Sequence, residues 1–289
     1  MPLRAIFTYK LQGLWKSWLI RSWLIATVLV TFLIVTTNWA VTPTAPMIAM
    51  LLFPYLVFPW FLVALLLGLN PVTGSRLEAL SDGILSRPVT RLEYLLASWS
   101  ARVTAALAVL FVGIVPAILI VSLADRPAST DDPVTSYGVV ASLAVVAMVI
   151  TFLVSIGYFA GTAFRSSMFA AAALIFIWMP VNLILHTFSL EEFSPISLNQ
   201  SLPTLLRTPW HDHDANAEVK LTGGEDMQAA ADFLSVLIGS RPAVTKRDPA
   251  FYKRGDYKDF SLGRVIMGYG LPTLTALACT TILFYRRDL

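Results

Sequence analysis

Charge is scarce in this chain. Of 289 residues only 13% are Asp, Glu, Lys or Arg, and 56% are apolar, where a soluble domain carries about 25% charged residues. That excludes an ordinary soluble domain and reads as an integral membrane protein. Cysteine is nearly absent. Cys279, inside an apolar run, is the only one, so neither a disulfide framework nor a cysteine metal cluster can form. The net charge is +3 with no basic block, which gives no reason to expect a nucleic-acid partner. No G-x-x-x-x-G-K-[ST] occurs, so the chain holds no P-loop, and any ATP that drives it sits on another polypeptide. No internal repeat is visible.

Ionisable groups are missing from the apolar runs as well. These cover roughly 22–40, 47–69, 102–123, 138–160, 167–188 and 264–284, each near the ~20 residues that a helix needs to cross hydrocarbon. Arg102, near the inner end of the third run, and Arg264, the first residue of the sixth, are the charges within them. A proton-coupled carrier places Asp, Glu or His at mid-membrane, and none is there. Asn182, Thr151, Thr162 and Thr275 could line a path, but helix-packing hydrogen bonds explain them more simply. A sodium site built from carbonyls stays open. Pro54, Pro59, Pro116, Pro180 and Pro272 read as ordinary kinks. Gly157 and Gly161 form GxxxG, which permits close helix contact within the chain or across a dimer.

Six runs place both termini on one side. The N-terminal segment carries Arg4, Lys10, Lys16 and Arg21, and the loop after the second run carries Arg76, Arg87 and Arg91. Arg165 and the C-terminal Arg286 and Arg287 fall on the same side, while the opposite short loops hold only Arg126 beside Asp125, Asp131 and Asp132. The bias sets the termini in the cytoplasm, and the long loop 189–263 is exempt by its length. The first run exceeds the 7–15 residues of a signal peptide's core, so cleavage is rejected.

The expected architecture is all-α: six transmembrane helices with accessory helices at both faces. In residues 1–18, Leu3, Phe7, Leu11, Leu14 and Trp18 fall at helical spacing among basic residues, which suits an interfacial helix. Residues 19–188 hold spans one to five, and 264–289 hold the sixth span and the tail. The insert 189–263 carries Leu202, Leu205 and Leu206, then Met227, Ala231, Leu234 and Ile238 before Gly239. It is expected to form short helices resting on the outer surface, with 246–258 as loop.

One polar island stands out: Ser75–Tyr94, SRLEALSDGILSRPVTRLEY. It holds two capping boxes, Ser75…Glu78 and Thr90…Glu93, in which each hydroxyl accepts from the N3 amide and each Glu reaches back to the cap's own N–H. Pro88 disfavours the α region at Arg87, so a helix over 76–86 stops there and another starts near Arg91. Leu77, Leu80, Ile84 and Leu85 share one face of the first, with Glu78 and Asp82 opposite. Two rival chemistries fall short. His211-Asp212-His213-Asp214 is metal-like, yet four contiguous residues close poorly around one ion, so a solvated loop fits better. Asp82-Gly83 lacks the extra aspartates that a membrane phosphotransferase needs.

Leu85-Ser86-Arg87-Pro88-Val89-Thr90-Arg91, followed by Glu93-Tyr94-Leu95, resembles the "LLSRPVSR" stretch of permeases of type 2 ABC transporters, the export class. The ending Tyr285-Arg286-Arg287-Asp288-Leu289 and the six-span layout resemble that family too, and the layout is similar to the permease serving nitrous oxide reductase maturation. Where the family has Glu and then Gly-Thr-Leu, this chain has Glu78-Ala79-Leu80-Ser81-Asp82-Gly83. The resemblance implies a bacterial inner-membrane half-transporter: two permease copies, homodimeric or paired with a related chain, and two cytoplasmic ATPase subunits that hold ATP and Mg. This chain would carry no cofactor and no catalytic activity. Residues 76–86 would be the coupling helix, with Arg76, Glu78, Asp82, Arg87, Pro88 and Arg91 as contacts, and Arg165 in the loop 161–168 would be a second, smaller one. The rival expectations are an ion-coupled secondary carrier and a membrane anchor whose outer domain 189–263 is the active part.

Overall fold

A chain in hydrocarbon must satisfy its backbone polar groups internally, and separate apolar segments do so as helices. The computed structural model describes residues 2–69, 90–124, 126, 134–164, 166–187, 194–207 and 262–286. Among the described residues the regular structure is nine helices: α1 (Pro2–Lys16), α2 (Trp18–Asn38), α3 (Thr44–Leu56), α4 (Trp60–Gly68), α5 (Arg91–Leu123), α6 (Ser136–Ala163), α7 (Ser167–Thr187), α8 (Pro195–Leu206) and α9 (Leu262–Arg286). Five stretches are long and apolar enough to cross a membrane: α2, α3 with α4, α5 from Leu92, α6 and α9. With α7, 21 residues long, they correspond in order to the six apolar runs.

The outward faces fit lipid. In α2 the buried residues are Ile20, Trp23, Thr27 and Thr31, one narrow stripe at helical spacing, while Ile25, Leu29, Phe32 and Leu33 stand exposed. A water-facing helix would not carry such a surface. Met267, Leu271 and Leu274 of α9 and Phe176 of α7 are exposed in the same way.

The second run does not form one helix. It breaks at Val57–Pro59 into α3 and α4, with Pro59 in the N-cap position of α4 and a cis Phe58–Pro59 peptide. Pro59 therefore separates two helices, while Pro54, Pro116, Pro180 and Pro272 lie inside α3, α5, α7 and α9.

α6 is the central helix, packed chiefly on α9 and α4 and also on α5, α8, α3 and α7. Its contact with α4 settles where Gly157 is used. A Cβ on Gly157 would strike the Leu65 carbonyl oxygen and come 3.1 Å from Gly68 Cα, and one on Gly68 would lie 2.8 Å from Gly157 Cα and Tyr158 N. The small residues let two backbones touch within this chain.

The two ends of the bundle are held differently. At the end where α2 passes into α3, Arg126 is only 2% exposed. Its Nη1 donates to the carbonyls of Trp39 (3.4 Å) and Thr42 (3.2 Å), its Nη2 to Thr44 Oγ1 (2.8 Å), and its guanidinium lies over the Trp39 ring. A residue expected as an outer loop charge thus staples the α2–α3 turn to the exit of α5. α8 lies at this end too. Thr135 N donates to the Leu206 carbonyl (3.0 Å), and a Cβ on Gly138 would meet backbone atoms of Leu205 and Leu206. The expectation of helices resting on the outer surface is corrected here. Pro195, Leu198, Asn199, Leu202, Pro203 and Leu206 are all buried, because α8 packs against α3 and α6. The other predicted insert helix, over 227–238, lies outside the described residues. At the opposite end α1 lies along α5, and Phe284 near the end of α9 packs with Leu95 and Tyr158. The first helix and the end of the last therefore both lie at the end of the bundle where α5 begins.

Gly157→Ala is expected to destabilise the protein by about 1–3 kcal/mol, the usual cost of overpacking a tight core. Gly270→Ala, whose Cβ would meet nothing within 4 Å, serves as the matched control. Thermal unfolding in detergent compares the two, and equal stability would show that α4 and α6 are not in backbone contact.

Candidate functional site: the end of the bundle that carries α1

The start of α5 is set by local chemistry. Thr90 is its N-cap: the Glu93 amide donates to Thr90 Oγ1 (3.2 Å) and the Thr90 amide donates to Glu93 Oε2 (3.0 Å). Both halves of the expected capping box are present, and they satisfy two of the amide donors that a helix start leaves orphaned. The earlier pattern, Ser75…Glu78, lies outside the described residues. So do Arg76, Glu78, Asp82, Arg87, Pro88 and Arg165, and with them the helix over 76–86 and His211–Asp214. Arg91 is the first residue of α5, and its side chain is likewise outside the described set.

The described residues on either side of that segment are Leu69 and Thr90. One side chain ties its two flanks together. Arg102 is 8% exposed, and its Nη1 donates to the Leu67 carbonyl. Leu67 lies in the last turn of α4, where carbonyls lack intrahelical donors and the helix dipole favours a cation. The arginine that opens the third apolar run therefore caps a neighbouring helix. Its guanidinium also sits 5.7 Å from the centroid of the Tyr158 ring, within cation–π range. Tyr158 donates from its hydroxyl to the Leu95 carbonyl (3.2 Å), and Trp99 Nε1 donates to Ser155 Oγ (2.9 Å), so α4, α5 and α6 are joined at this level.

A cleft of about 470 Å³ opens between α1 and α5, lined by Tyr9, Lys10, Gln12, Gly13, Leu14, Lys16, Ser98 and Arg102. Lys10 lies 5.5 Å from the Tyr94 ring centroid. Sequence reading placed α1 at an interface without joining it to Arg102. The signal was the recurrence of cations on both segments. A second cleft, of about 300 Å³, runs between α4, α6, α7 and α9, and apart from Tyr269 its lining is apolar, with Leu65, Phe152, Leu174 and Trp178. The hydroxyls considered as path ligands bond back into their own helices: Thr151 to Ala147 (2.8 Å), Thr162 to Phe159 (2.7 Å) and Thr275 to Pro272 (2.9 Å). Among the described residues no group of His, Cys, Asp and Glu could hold a metal ion.

Residues 83–289 match the model of the family described as ABC-2 family transporter protein. The chain belongs to that family. No curated protein matches it. An ABC-2 transporter protein is a membrane component of an ABC transporter, and this one is multi-pass, with apolar helices long enough to span. The match begins inside the polar island, at Gly83, and takes in the capped start of α5, Arg102 and every later described helix.

Arg102→Ala removes the donor to Leu67. The expected cost is about 1–3 kcal/mol, that of leaving a buried acceptor unpaired, with faster amide hydrogen exchange at the end of α4. Thr90→Ala should cost about 1 kcal/mol, with the change confined to the first turn of α5. Unaltered exchange at the end of α4 in the first variant would show that Arg102 does not cap it.

Proposed function

We propose that this chain is the permease subunit of an ATP-driven exporter, transmitting the work of a separate ATPase to the membrane helices through residues 75–94. The observation that carries the reading is the family match, which reaches into the polar island of a chain that contains no P-loop. On this reading α7 is the fifth span and α9 the sixth, both termini are cytoplasmic, and two copies assemble with two ATPase subunits that hold ATP and Mg. The cell membrane is the bacterial inner membrane. The placement of α1 and the end of α9 at the same end, with Arg4, Lys10, Lys16 and Arg286, supports that orientation.

Coupling follows from the local chemistry. A capped helix over 76–86 would dock on the ATPase through Arg76, Glu78, Asp82, Arg87 and Arg91, with Arg165 as the lesser contact. Movement of that helix would reach α4 and α5 together, since packed elements with fixed contacts shift as units. The apolar cleft between α4, α6, α7 and α9 favours a hydrophobic or lipid-like cargo over a free polyanion. The layout's likeness to the permease of nitrous oxide reductase maturation leaves mechanical transmission to an outer partner as one form of the output.

Co-expression with an ABC ATPase of the same genome tests the reading. Wild-type chain should co-purify with that ATPase, and Arg87→Glu or deletion of 76–86 should abolish the association while the variant remains folded in detergent. An intact and active complex in both variants would refute the coupling role. Activity in vesicles that lack any ATPase and collapses with an ionophore would replace it with an ion-coupled carrier.

A further inference from the structure

We propose that the cleft between α4, α6, α7 and α9 is a site for one acyl chain of a bilayer lipid, held there in the resting protein. It rests on those helices crossing the membrane, as in the proposed function, and not on coupling through 75–94.

The first observation is how α7 sits. Among its described side chains only Ala170, in its first turn, is buried. Beyond it Leu174, Ile177 and Trp178 look across about 300 Å³ to Leu65 of α4, Phe152 of α6 and Tyr269 of α9. Two aromatic pairs brace the walls. Phe61 of α4 stacks on Trp178 with ring centroids 5.4 Å apart, and Phe152 meets Tyr269 edge-to-face at 5.4 Å. Such pairs add to packing, and here they hold the four helices in place around the space.

The second observation is what the space excludes. Protein interiors are close-packed, and a void costs stability in proportion to its volume. Water does not fill an apolar space, where it finds too few hydrogen-bond partners, and this lining is hydrocarbon and aromatic ring almost throughout. Hydrocarbon is the filler that remains. No charged side chain lines the space, so the site selects the chain and not the headgroup.

The third observation is access. Ile177 and Val181 line the cleft yet are 57% and 42% exposed, and Met267 beside it on α9 is 74% exposed. The space is continuous with the surface that faces lipid. A chain enters from the side between α7 and α9, and a hydrophobic cargo using this route has to displace it.

The full-length protein, with no ATPase added, is placed in bilayer discs of phosphatidylcholine carrying a photoreactive diazirine midway along one acyl chain. Adducts are mapped by mass spectrometry. They are expected on Phe152 and Ile156 of α6 as well as on the outward Phe176 and Met267. Ile177→Trp, at the exposed mouth, should lower the α6 adducts about tenfold, the factor set by excluding roughly two methylenes, and leave those on Met267 unchanged. Leu271→Trp, exposed on α9 and outside the lining, should change neither. Leu174→Ala, which widens the cleft, should keep or raise the α6 labelling. Adducts on Phe176 and Met267 with none on α6 would overturn the proposal, as would α6 labelling that Ile177→Trp leaves undiminished. Absence of adducts from Phe176 and Met267 as well would remove the membrane placement of α7 and α9, and the proposal with it.

Discussion

The hydrogen bond from Arg102 to the Leu67 carbonyl is the contact on which this end of the protein turns. An arginine at the edge of an apolar run is costly, and such a group persists only where it is partnered. Here the partner is the orphaned end of α4, and the same guanidinium rests on Tyr158 of α6. Without it, α4 and α5 would be joined here through α6, by the Gly68–Gly157 contact on one side and the Tyr158–Leu95 and Trp99–Ser155 hydrogen bonds on the other. With it, three helices are locked at the level of the end of α4 and the start of α5.

The opposite end is built on a parallel plan with a different outcome. Arg126 gathers carbonyls from the turn between α2 and α3, and α8 is packed into the bundle against α3 and α6. A buried arginine thus organises each end. The Arg126 end is closed over by a helix, while the Arg102 end presents a basic cleft and the capped entrance to α5. That asymmetry suits a protein receiving input at one end, which is what the proposed permease role requires.

Much of the architecture was legible because hydrocarbon imposes a length and a composition. The six apolar runs match the described helices in order, and the Thr90…Glu93 box was readable because it is local: four residues contain both bonds. What escaped was non-local. Nothing around Pro59 distinguishes a helix break from a kink, since Pro54 five residues earlier lies inside a helix. Arg126 looked like a loop charge because its acceptors lie some eighty residues earlier in the chain. α8 looked superficial because the burial of all but the Ile196, Gln200 and Thr204 stripe depends on α3 and α6, which no periodicity within 195–206 reveals. Gly157 was recognised as a close-contact residue, but its partner, Gly68, could be found only in three dimensions. The residues expected to meet an ATPase stand apart: the family match at Gly83 touches that stretch, and their geometry lies outside the described chain.

The most direct test of the coupling reading is whether the ends of α4 and α5 move as one body. Spin labels at Leu66 and Leu92, both exposed, can be placed in a Cys279→Ser background, because Cys279 is exposed as well. Distances are then measured by pulsed resonance in the assembled complex, without nucleotide and with ATP trapped. If Arg102 locks the two helices, the Leu66–Leu92 distance stays constant, while the distance from Leu92 to the same label in the second copy that the proposed function requires changes. A Leu66–Leu92 distance that shifts on ATP binding, or helices that do not respond to ATP at all, would contradict it.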